Sequence, residues 1–573
     1  MSKRFTTIYM KAKNLIFSYF ILFPIFGFSQ QTIDKYNLDF EYSLRGSVWL
    51  CIFDDFRAVY DSTNKVNGAR SLLLTRSYLK TEFNLSLSQT ILLPKPSKTI
   101  KVSLSSQYEY LFSAGLKISG LDKNRNLLAR DSVSLIKKNG WEKFEVSITS
   151  DKAIEILLVE IKAKETFKEK KPKVKLWVDN IQIALDGIDL YNCKSMDYQY
   201  DIDEIADIKE CVPLSDQLVL PEKVLKGIDS RIIGFGETAH GSNEIAKSVF
   251  NNIEKLIVNH NCRLVLLELP IDLGIRLNQF VHQDVFDEDI KGLIDKYHID
   301  NEALKAFLIW LKQYNITNDD KVSVFGFDNY SDYSPRHINN YLLSKKRNSA
   351  TIDSLLRMIN SHNARSYPLK FAERNVDELT AFLGEKGFKT FIQCLKIRTD
   401  SLCRTIPLFK SFDWHGINRD YLLWQNAKFA IDNLSDGKSK IAVYSHLSHL
   451  NKKVPIFLNS VKSLGGYMAD YFGDNYFVIG MIIGEGKVST LVSSNKMVVQ
   501  EIGFPKLRSI ESFCVKAGAG NFYKPLPILS TVPILYRVIG SYYCEAREFE
   551  PSFTDKSMDA ILFIRQSTQA IIY

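Results

Sequence analysis

The chain has 573 residues, of which 45% are hydrophobic and 24% charged, close to the norm for globular proteins. That balance excludes a mainly disordered chain, a collagen and a polytopic membrane protein. A net charge of +9 is mild for this length and gives no argument for nucleic-acid binding.

The first 29 residues read as an address. Lys3, Arg4, Lys11 and Lys13 form a basic start with no acid among them. An apolar stretch from Leu15 to Phe28 follows, and then Ser29, Gln30 and Gln31. A basic region, a short apolar region and a small residue before a polar start predict a secretory signal peptide, too short to span a bilayer. The mature chain is expected in an exported compartment, periplasmic or secreted, with no stable membrane span after cleavage. The eight cysteines include no CxxC pair, so a zinc ribbon or a thioredoxin-like site has no support, and spacing cannot pair them as disulfides.

From about 30 to 186 the pattern has period two. Ile100 to Leu104, Leu116 to Ser119, Phe144 to Ile148 and Val174 to Val178 alternate apolar and polar. Asn67-Gly68, Pro94 to Pro96, Asp122 to Asn126 and Asn139-Gly140 supply turn signals. Short alternating strands between turns predict an antiparallel β-sandwich. No histidine lies before 240, so this half is a poor candidate for catalysis. It resembles the jelly-roll accessory modules of exported carbohydrate-active proteins. A spacer role is expected, with glycan contact through aromatics such as Trp49 or Tyr108 as the alternative. Lys164 to Lys173 reads as a solvated hairpin loop, and residues 187–220 as a polar linker.

After about 221 the grammar becomes α/β. Arg231 to Gly236, Arg263 to Leu267, Lys321 to Phe327, Lys440 to Tyr444 and Tyr476 to Gly480 are unbroken apolar runs. Between them lie amphipathic stretches such as Asn243 to Asn259, with Ile245, Val249, Ile253, Leu256 and Ile257 on one face. Buried strands alternating with helices predict an α/β fold with a mostly parallel sheet covered by helices.

Titratable groups follow four of these strands: Glu237 then His240, Glu268, Asp328, and His446 then His449. The carboxyl ends of parallel strands share one edge, where ligands bind, so these groups are expected to converge. Ser242 or Asn243 can cap the helix that follows His240.

The segment Gly236-Glu237-Thr238-Ala239-His240-Gly241-Ser242-Asn243-Glu244 resembles the signature of the erythromycin esterase family, whose usual form is Gly-Glu-Ala-Thr-His-Gly. The resemblance continues in order. Leu267-Glu268, Trp310 to Asn315, Phe325 to Asp328, Arg419-Asp420 with Asn426, Ser445 to His449, Leu464-Gly465, Ile539-Gly540 and Met558 to Ala560 all find counterparts. It covers roughly 221–573. Three departures stand out: Lys247 is the cation where the family has an arginine, Leu447 replaces an asparagine, and Thr238 and Ala239 are exchanged.

The resemblance implies ester or lactone hydrolysis without a metal, on a small-molecule or acylated-carbohydrate ester such as a macrolide-like product. His240 is expected as general base, because a neutral imidazole suits water activation near pH 7. Glu237 and Glu268 would orient it or position the water. His446 would stabilise the oxyanion or protonate the leaving alkoxide, with His449 behind it. Arg419, Asp328 and His415 are candidate substrate contacts. No Gly-x-Ser-x-Gly elbow is present. No cofactor is expected; the metal alternative uses His446 and His449 at i and i+3 with another histidine and two glutamates. Two other readings stay open: a catalytically silent glycan-binding or envelope protein, and an acyl-transfer enzyme on the same scaffold.

Overall fold

A computed structural model describes residues 36–41, 49–53, 56–76, 80–111, 113–122, 126–136, 140–171, 174–193, 211–282, 294, 301–328, 336–344, 349–360, 367–399, 416–452, 462–491, 497–505, 509–516, 520–526, 534–540, 543, 548–552 and 557–571. The expected signal peptide lies outside the described residues.

The alternating half forms nine antiparallel strands: β1 (Leu50–Phe53), β2 (Phe56–Asp61), β3 (Ser71–Arg76), β4 (Lys80–Glu109), β5 (Ala114–Leu121), β6 (Leu127–Ser134), β7 (Glu142–Lys171), β8 (Lys175–Leu185) and β9 (Ile188–Asp189). Their order is β2-β3-β8-β4-β7-β5-β6, with β1 on β4 and β9 on β8. β4 and β7 are 30 residues each, far longer than the short strands expected. Their shared register breaks between Leu92 and Thr99, which is where the expected turn Pro94 to Pro96 falls. Prolines cannot donate to the ladder, so they bend the strand there rather than end it. On one side of the bend β4 pairs with β1, and on the other with β8. Two long strands thus run through the whole sheet, against a core that includes Val102, Ile118, Val146, Ile161, Val178 and Ile183.

Two expectations for this half are corrected. The segment Lys164 to Lys171 is not a loop; β7 continues through it, paired with Lys80 to Asn84 of β4. Trp49 is no exposed sugar platform: it is 3% exposed and donates Nε1–H to the Asn37 carbonyl at 2.9 Å. Tyr108 packs against the same core. Large aromatic area is what the core takes up first, and the indole N–H finds a carbonyl on the way.

The second sheet holds β10 (Val212–Pro213), β11 (Ile232–Glu237), β12 (Cys262–Pro270), β13 (Ser323–Asp328), β14 (Lys440–His446), β15 (Tyr476–Leu491), β16 (Met497–Ile502), β17 (Phe522–Pro525) and, after the separate hairpin pair β18 (Ile534–Arg537) and β19 (Phe549–Ser552), β20 (Ala560–Ser567). The order is β10-β17-β20-β15-β11-β14-β12-β13, with β16 on β15. The run from β20 to β13 is parallel, whereas β10, β16 and β17 pair antiparallel. The sheet is therefore mixed: parallel through its middle, as expected, and antiparallel at β10, β16 and β17. The reason is local: only residues 492–496 separate β15 from β16, too few for a crossover. Val212, in the expected linker, joins this sheet's edge, and Leu218 and Leu220 join its core.

Both faces of the sheet are covered. Ile232, Leu264, Leu266, Ile441 and Val443 face one core. Their alternates Ile233, Val265, Leu267, Ala442 and Tyr444 face the other. The helix Asn243–Asn259 covers the second face with the residues expected, and the helices Gly416–Leu434 and Leu464–Phe472 cover the first. From β11 the chain crosses β14 to reach β12; from β14 it crosses β11 to reach β15. Adjacent strands whose connections leave in opposite directions open a crevice at their carboxyl ends.

One close approach fixes the wall of that crevice. Gly274, in the helix Ile271–Val281, lies so near β13 that a Cβ would run into the Gly326 amide nitrogen. Gly274→Ala is expected to destabilise the protein by about 1–3 kcal/mol through overpacking. The urea midpoint checks this; a midpoint at or above that of the wild type would show that helix and strand do not meet there.

Candidate active site

Four neighbouring strands deliver residues at or near their carboxyl ends to this crevice. Glu237 ends β11, directly paired with His446 at the end of β14. Asp328 ends β13, paired with Pro270, and Glu268 lies on β12 just beyond the Leu267–Tyr444 pair. His240 follows Glu237 by three residues, on a loop held from several sides. Its backbone N–H donates to the Ile539 carbonyl at 2.8 Å, and the Ile539 N–H donates to the Thr238 carbonyl at 2.8 Å. The Gly241 carbonyl accepts from Ser489 and Ala570. Gly241 has φ +74, and a Cβ there would strike the Ser489 carbonyl, so only glycine serves. Ser242 then caps the helix, accepting from the Ile245 N–H at 3.3 Å.

His240 and Glu237 form a dyad. The imidazole Nδ1 lies 2.6 Å from Glu237 Oε1. The other oxygen, Oε2, accepts from the Tyr444 hydroxyl at 2.7 Å. A carboxylate oxygen can only accept, so Nδ1 carries the proton and Nε2 is left with its lone pair. Burial works against a charge on His240, but Glu237, and more remotely Glu268, outweigh it and raise its pKa above 6.5.

Glu268 and Arg419 form a second cluster. Glu268 Oε2 accepts from the Ser445 hydroxyl at 2.6 Å and from the His446 N–H at 2.9 Å. Oε1 accepts from Arg419 Nη2 at 3.0 Å. The same Nη2 reaches Asp328 Oδ2 at 2.9 Å. Burial favours the neutral acid, yet His449, Arg419, His240 and Ser445 together hold the Glu268 carboxyl well below the usual range. Glu268 is an anion whose two oxygens accept from three protein donors. Arg419 gives guanidinium N–H groups to protein partners, Nη2 to Glu268 and Asp328 and Nη1 to His449.

The late histidines differ. His446 stacks at a tilt on His240, with ring centroids 4.8 Å apart. Burial and the neighbouring His240 push its pKa well below 6.5, against the opposing pull of Glu268 and the Thr238 carbonyl, so it is neutral at pH 7. Its Nδ1 lies 2.6 Å from Ser448 Oγ. Its Nε2 is buried without a hydrogen-bond partner among the described residues. His449, expected behind His446, instead puts Nδ1 2.9 Å from Asp420 Oδ1 and Nε2 2.8 Å from Arg419 Nη1. Burial opposes charging it, although Asp420 and Glu268 raise its pKa overall. The guanidinium N–H can only donate, so a proton on Nε2 and the Arg419 contact exclude each other.

Of the predicted site residues, the structure thus brings together Glu237, His240, Glu268, Asp328, Arg419, His446 and His449. His415 lies outside the described residues. His260 lies apart from this cluster, with an imidazole only 8% exposed, 3.2 Å from Glu222. Lys247 is exposed and stands outside the cluster. The sequence reading gave no role to Tyr444, Ser445, Ser448 or Asp420. Position was the available signal, because all four adjoin residues it did select. Among the described residues, no group of three His, Cys, Asp or Glu side chains is arranged to hold a metal ion.

A family model described as erythromycin esterase matches residues 257–567. A search of curated proteins finds no match. Among solved structures, the chain is similar to a Bacillus cereus protein at 18% identity, over 65% of this chain and 100% of that one, with a TM-score of 0.54. It is also similar to a histidine-to-asparagine mutant of the erythromycin esterase EreC in its open conformation, at 15% identity over 61% and 94% of the two chains, TM-score 0.46. A carbohydrate-binding module in complex with β-1,4-galactotriose is similar at 19% identity over 26% and 95%, TM-score 0.20. The first of these supports the fold of the α/β half.

The charge cluster makes two predictions. Arg419→Met leaves two buried carboxylates without their cation and is expected to cost about 3–5 kcal/mol at pH 7, read from urea unfolding. Glu268 has a depressed pKa, so its stabilisation is complete above its ordinary value of 4.5 and is lost as pH falls below it. Glu268→Gln should therefore flatten the loss of stability on acidification below about pH 4.5. An unchanged acid slope would show that the carboxylate is not held charged.

Proposed function

The chain belongs to the erythromycin esterase family, and from that premise we propose that it hydrolyses a carboxylic ester or lactone with a water activated by His240. One observation carries the reading: an imidazole with an open Nε2 lone pair faces, at 4.8 Å, a second neutral imidazole whose Nε2 has no partner. One can take a proton while the other meets an oxygen.

In this mechanism the water oxygen attacks the carbonyl carbon and its proton passes to His240 Nε2. The carbonyl electron pair moves onto oxygen, where the His446 Nε2–H donates to it. Glu237 supports the imidazolium that forms, and Tyr444 holds Glu237 in place. Collapse of the tetrahedral intermediate expels the alkoxide, which takes the proton back from His240. No metal enters these steps. Glu268 keeps Ser445, the His446 backbone and Arg419 in register, and so acts through position and field. Asp328 and His449 do the same through Arg419.

The same reading divides the chain into an export signal at 1–29, an accessory sandwich that runs past 186 through β9, a linker, and a catalytic part that begins at β10 and so takes in the last of the residues expected as linker. The basic, apolar and polar succession at the start supports export to the periplasm or beyond. A bulky ester, such as an acylated carbohydrate or a macrolide-like product, suits a rim between two crossing connections. Glycan contact through the sandwich would place such a substrate nearby.

The test is turnover by the purified protein on a panel of esters, acylated sugars and macrolactones, with and without chelator. His240→Ala is expected to lower kcat by about 10²–10⁴-fold, the usual worth of a general base. Turnover should survive the chelator; its loss would make His446 and His449 metal ligands instead. Because the base must be unprotonated, kcat/KM should rise with pH, with a midpoint above 6.5. A limb below that value would assign the base elsewhere.

A further inference from the structure

We infer that the segment Ser567–Ala570, which follows β20, is a brace that sets the position of His240, and that Glu244 is the positioning residue that fastens it. The consequence for turnover rests on the proposed hydrolysis; the brace itself rests on the contacts between this segment and the loop.

The loop from Thr238 to Ser242 depends on its neighbours for its shape. Gly241, next to His240, sits at φ +74, a region that glycine enters and leaves freely. The Gly241 carbonyl accepts the Ala570 N–H at 2.8 Å and the Ser489 N–H at 2.9 Å, which uses both of its lone pairs. The Ser489 hydroxyl donates to the Ala570 carbonyl at 2.6 Å, so the two donors are held to each other. All three residues are buried.

The register of the segment is set two residues earlier. The Asn243 N–H donates to the Thr568 carbonyl at 3.0 Å, and the Ser242 and Ser567 hydroxyls meet at 2.8 Å. Glu244 closes the set. Its Oε2 accepts from the Thr568 N–H at 2.5 Å and its Oε1 from the Thr568 hydroxyl at 2.6 Å. Glu244 stands in the first turn of the helix Asn243–Asn259, a stiff base that begins where the loop ends. A slip of the segment by one residue would break these contacts and carry the Ala570 N–H away from Gly241.

A carboxylate in the first turn of a helix has another explanation. It can serve the helix dipole, and then only its charge matters. Glutamine separates the two. Its carbonyl can accept the Thr568 N–H while its NH2 donates to the Thr568 hydroxyl oxygen, so the fastening survives and the charge is gone. Alanine removes both.

His240 reports the state of the brace. The titratable and charged groups around it are Glu237, Glu268, Arg419 and His446. Glu237, at 2.6 Å, is the one that most raises its proton affinity. A loosened loop lengthens that contact and admits water, so the His240 midpoint falls toward 6.5.

The test is the His240 titration in the full chain, read by NMR of ring-labelled histidine with the signal assigned by its absence in His240→Gln, together with turnover on the ester panel. The wild type and Glu244→Gln should share one midpoint above 6.5. Glu244→Ala should lower that midpoint and reduce kcat about three- to tenfold, with KM changed less than about twofold. The Glu244 contacts lie partly in solvent, whereas Ala570→Pro deletes the buried donor to Gly241. It should act in the same direction and more strongly, with kcat down about ten- to hundredfold. An unchanged His240 midpoint in either Glu244→Ala or Ala570→Pro overturns the inference. So does a Glu244→Gln protein that shifts as the alanine variant does, since charge and not fastening would then be at work. The titration needs no substrate. A midpoint that falls in Glu244→Ala, in a protein that hydrolyses no ester, would sink the hydrolytic reading and leave the brace standing.

Discussion

A carboxylate taken out of water must be surrounded by donors, and at Glu268 that demand organises the whole site. Four groups answer it: Ser445 and the His446 amide from β14, Arg419 from the helix Gly416–Leu434, and the field of His449. Each donor is thereby pinned. Arg419, once committed to Glu268, also reaches Asp328 and His449, and His449 in turn leans on Asp420. Asp420 Oδ1 further accepts from the Leu464 N–H at 2.9 Å and so ties in the start of the helix Leu464–Phe472. The anion at the centre of this web does no proton transfer. It keeps His446 at a fixed height on its strand, opposite Glu237.

The reacting pair stands beside this web, on a different set of supports. His240 is oriented by Glu237 and Tyr444, and its loop is stitched to residues near 481, 489, 539 and 570. The two histidines therefore lean on different carboxylates, although Tyr444 and His446 share β14 and the field of Glu268 reaches His240. Their environments push their proton affinities apart: the carboxylate beside His240 favours a second proton, and burial next to His240 denies one to His446. Two like groups with opposite environments are what a base and an electrophilic partner require. The crossing of connections around β11 and β14 makes this possible, because it opens the rim where both strands end.

Much of the α/β half was legible before any coordinates. Unbroken apolar runs marked β11 to β15, the 3.6-residue spacing marked the helix Asn243–Asn259, and the residue after each run marked the rim. These signals are local, set by burial on both faces of a strand and one face of a helix. The sandwich was legible as a class but not in its strand lengths. Pro94 and Pro96 look the same in a turn and in a bend. Only the partners β7 and β8 show that the chain runs on. The antiparallel edges of the second sheet escaped for a similar reason: apolar content does not tell a strand which way to run.

The sequence by itself determined which residue types stand at the ends of the strands, because period and burial are written in neighbouring positions. Glu237, His240, Glu268, Asp328, His446 and His449 were selected on that ground alone. It could not determine which of them touch. Glu268, expected to orient His240 or position the water, accepts from Ser445, the His446 amide and Arg419. Arg419, a candidate substrate contact, binds the protein carboxylates of Glu268 and Asp328. His449 was placed behind His446 and turned instead to Asp420. Tyr444, Ser445, Ser448 and Asp420 carry no signature of their own, since a hydroxyl or a carboxylate beside a chosen histidine is common. Their roles come from directions and distances between side chains on separate elements. Those follow from strand order and the crossing of connections, which only the tertiary structure decides.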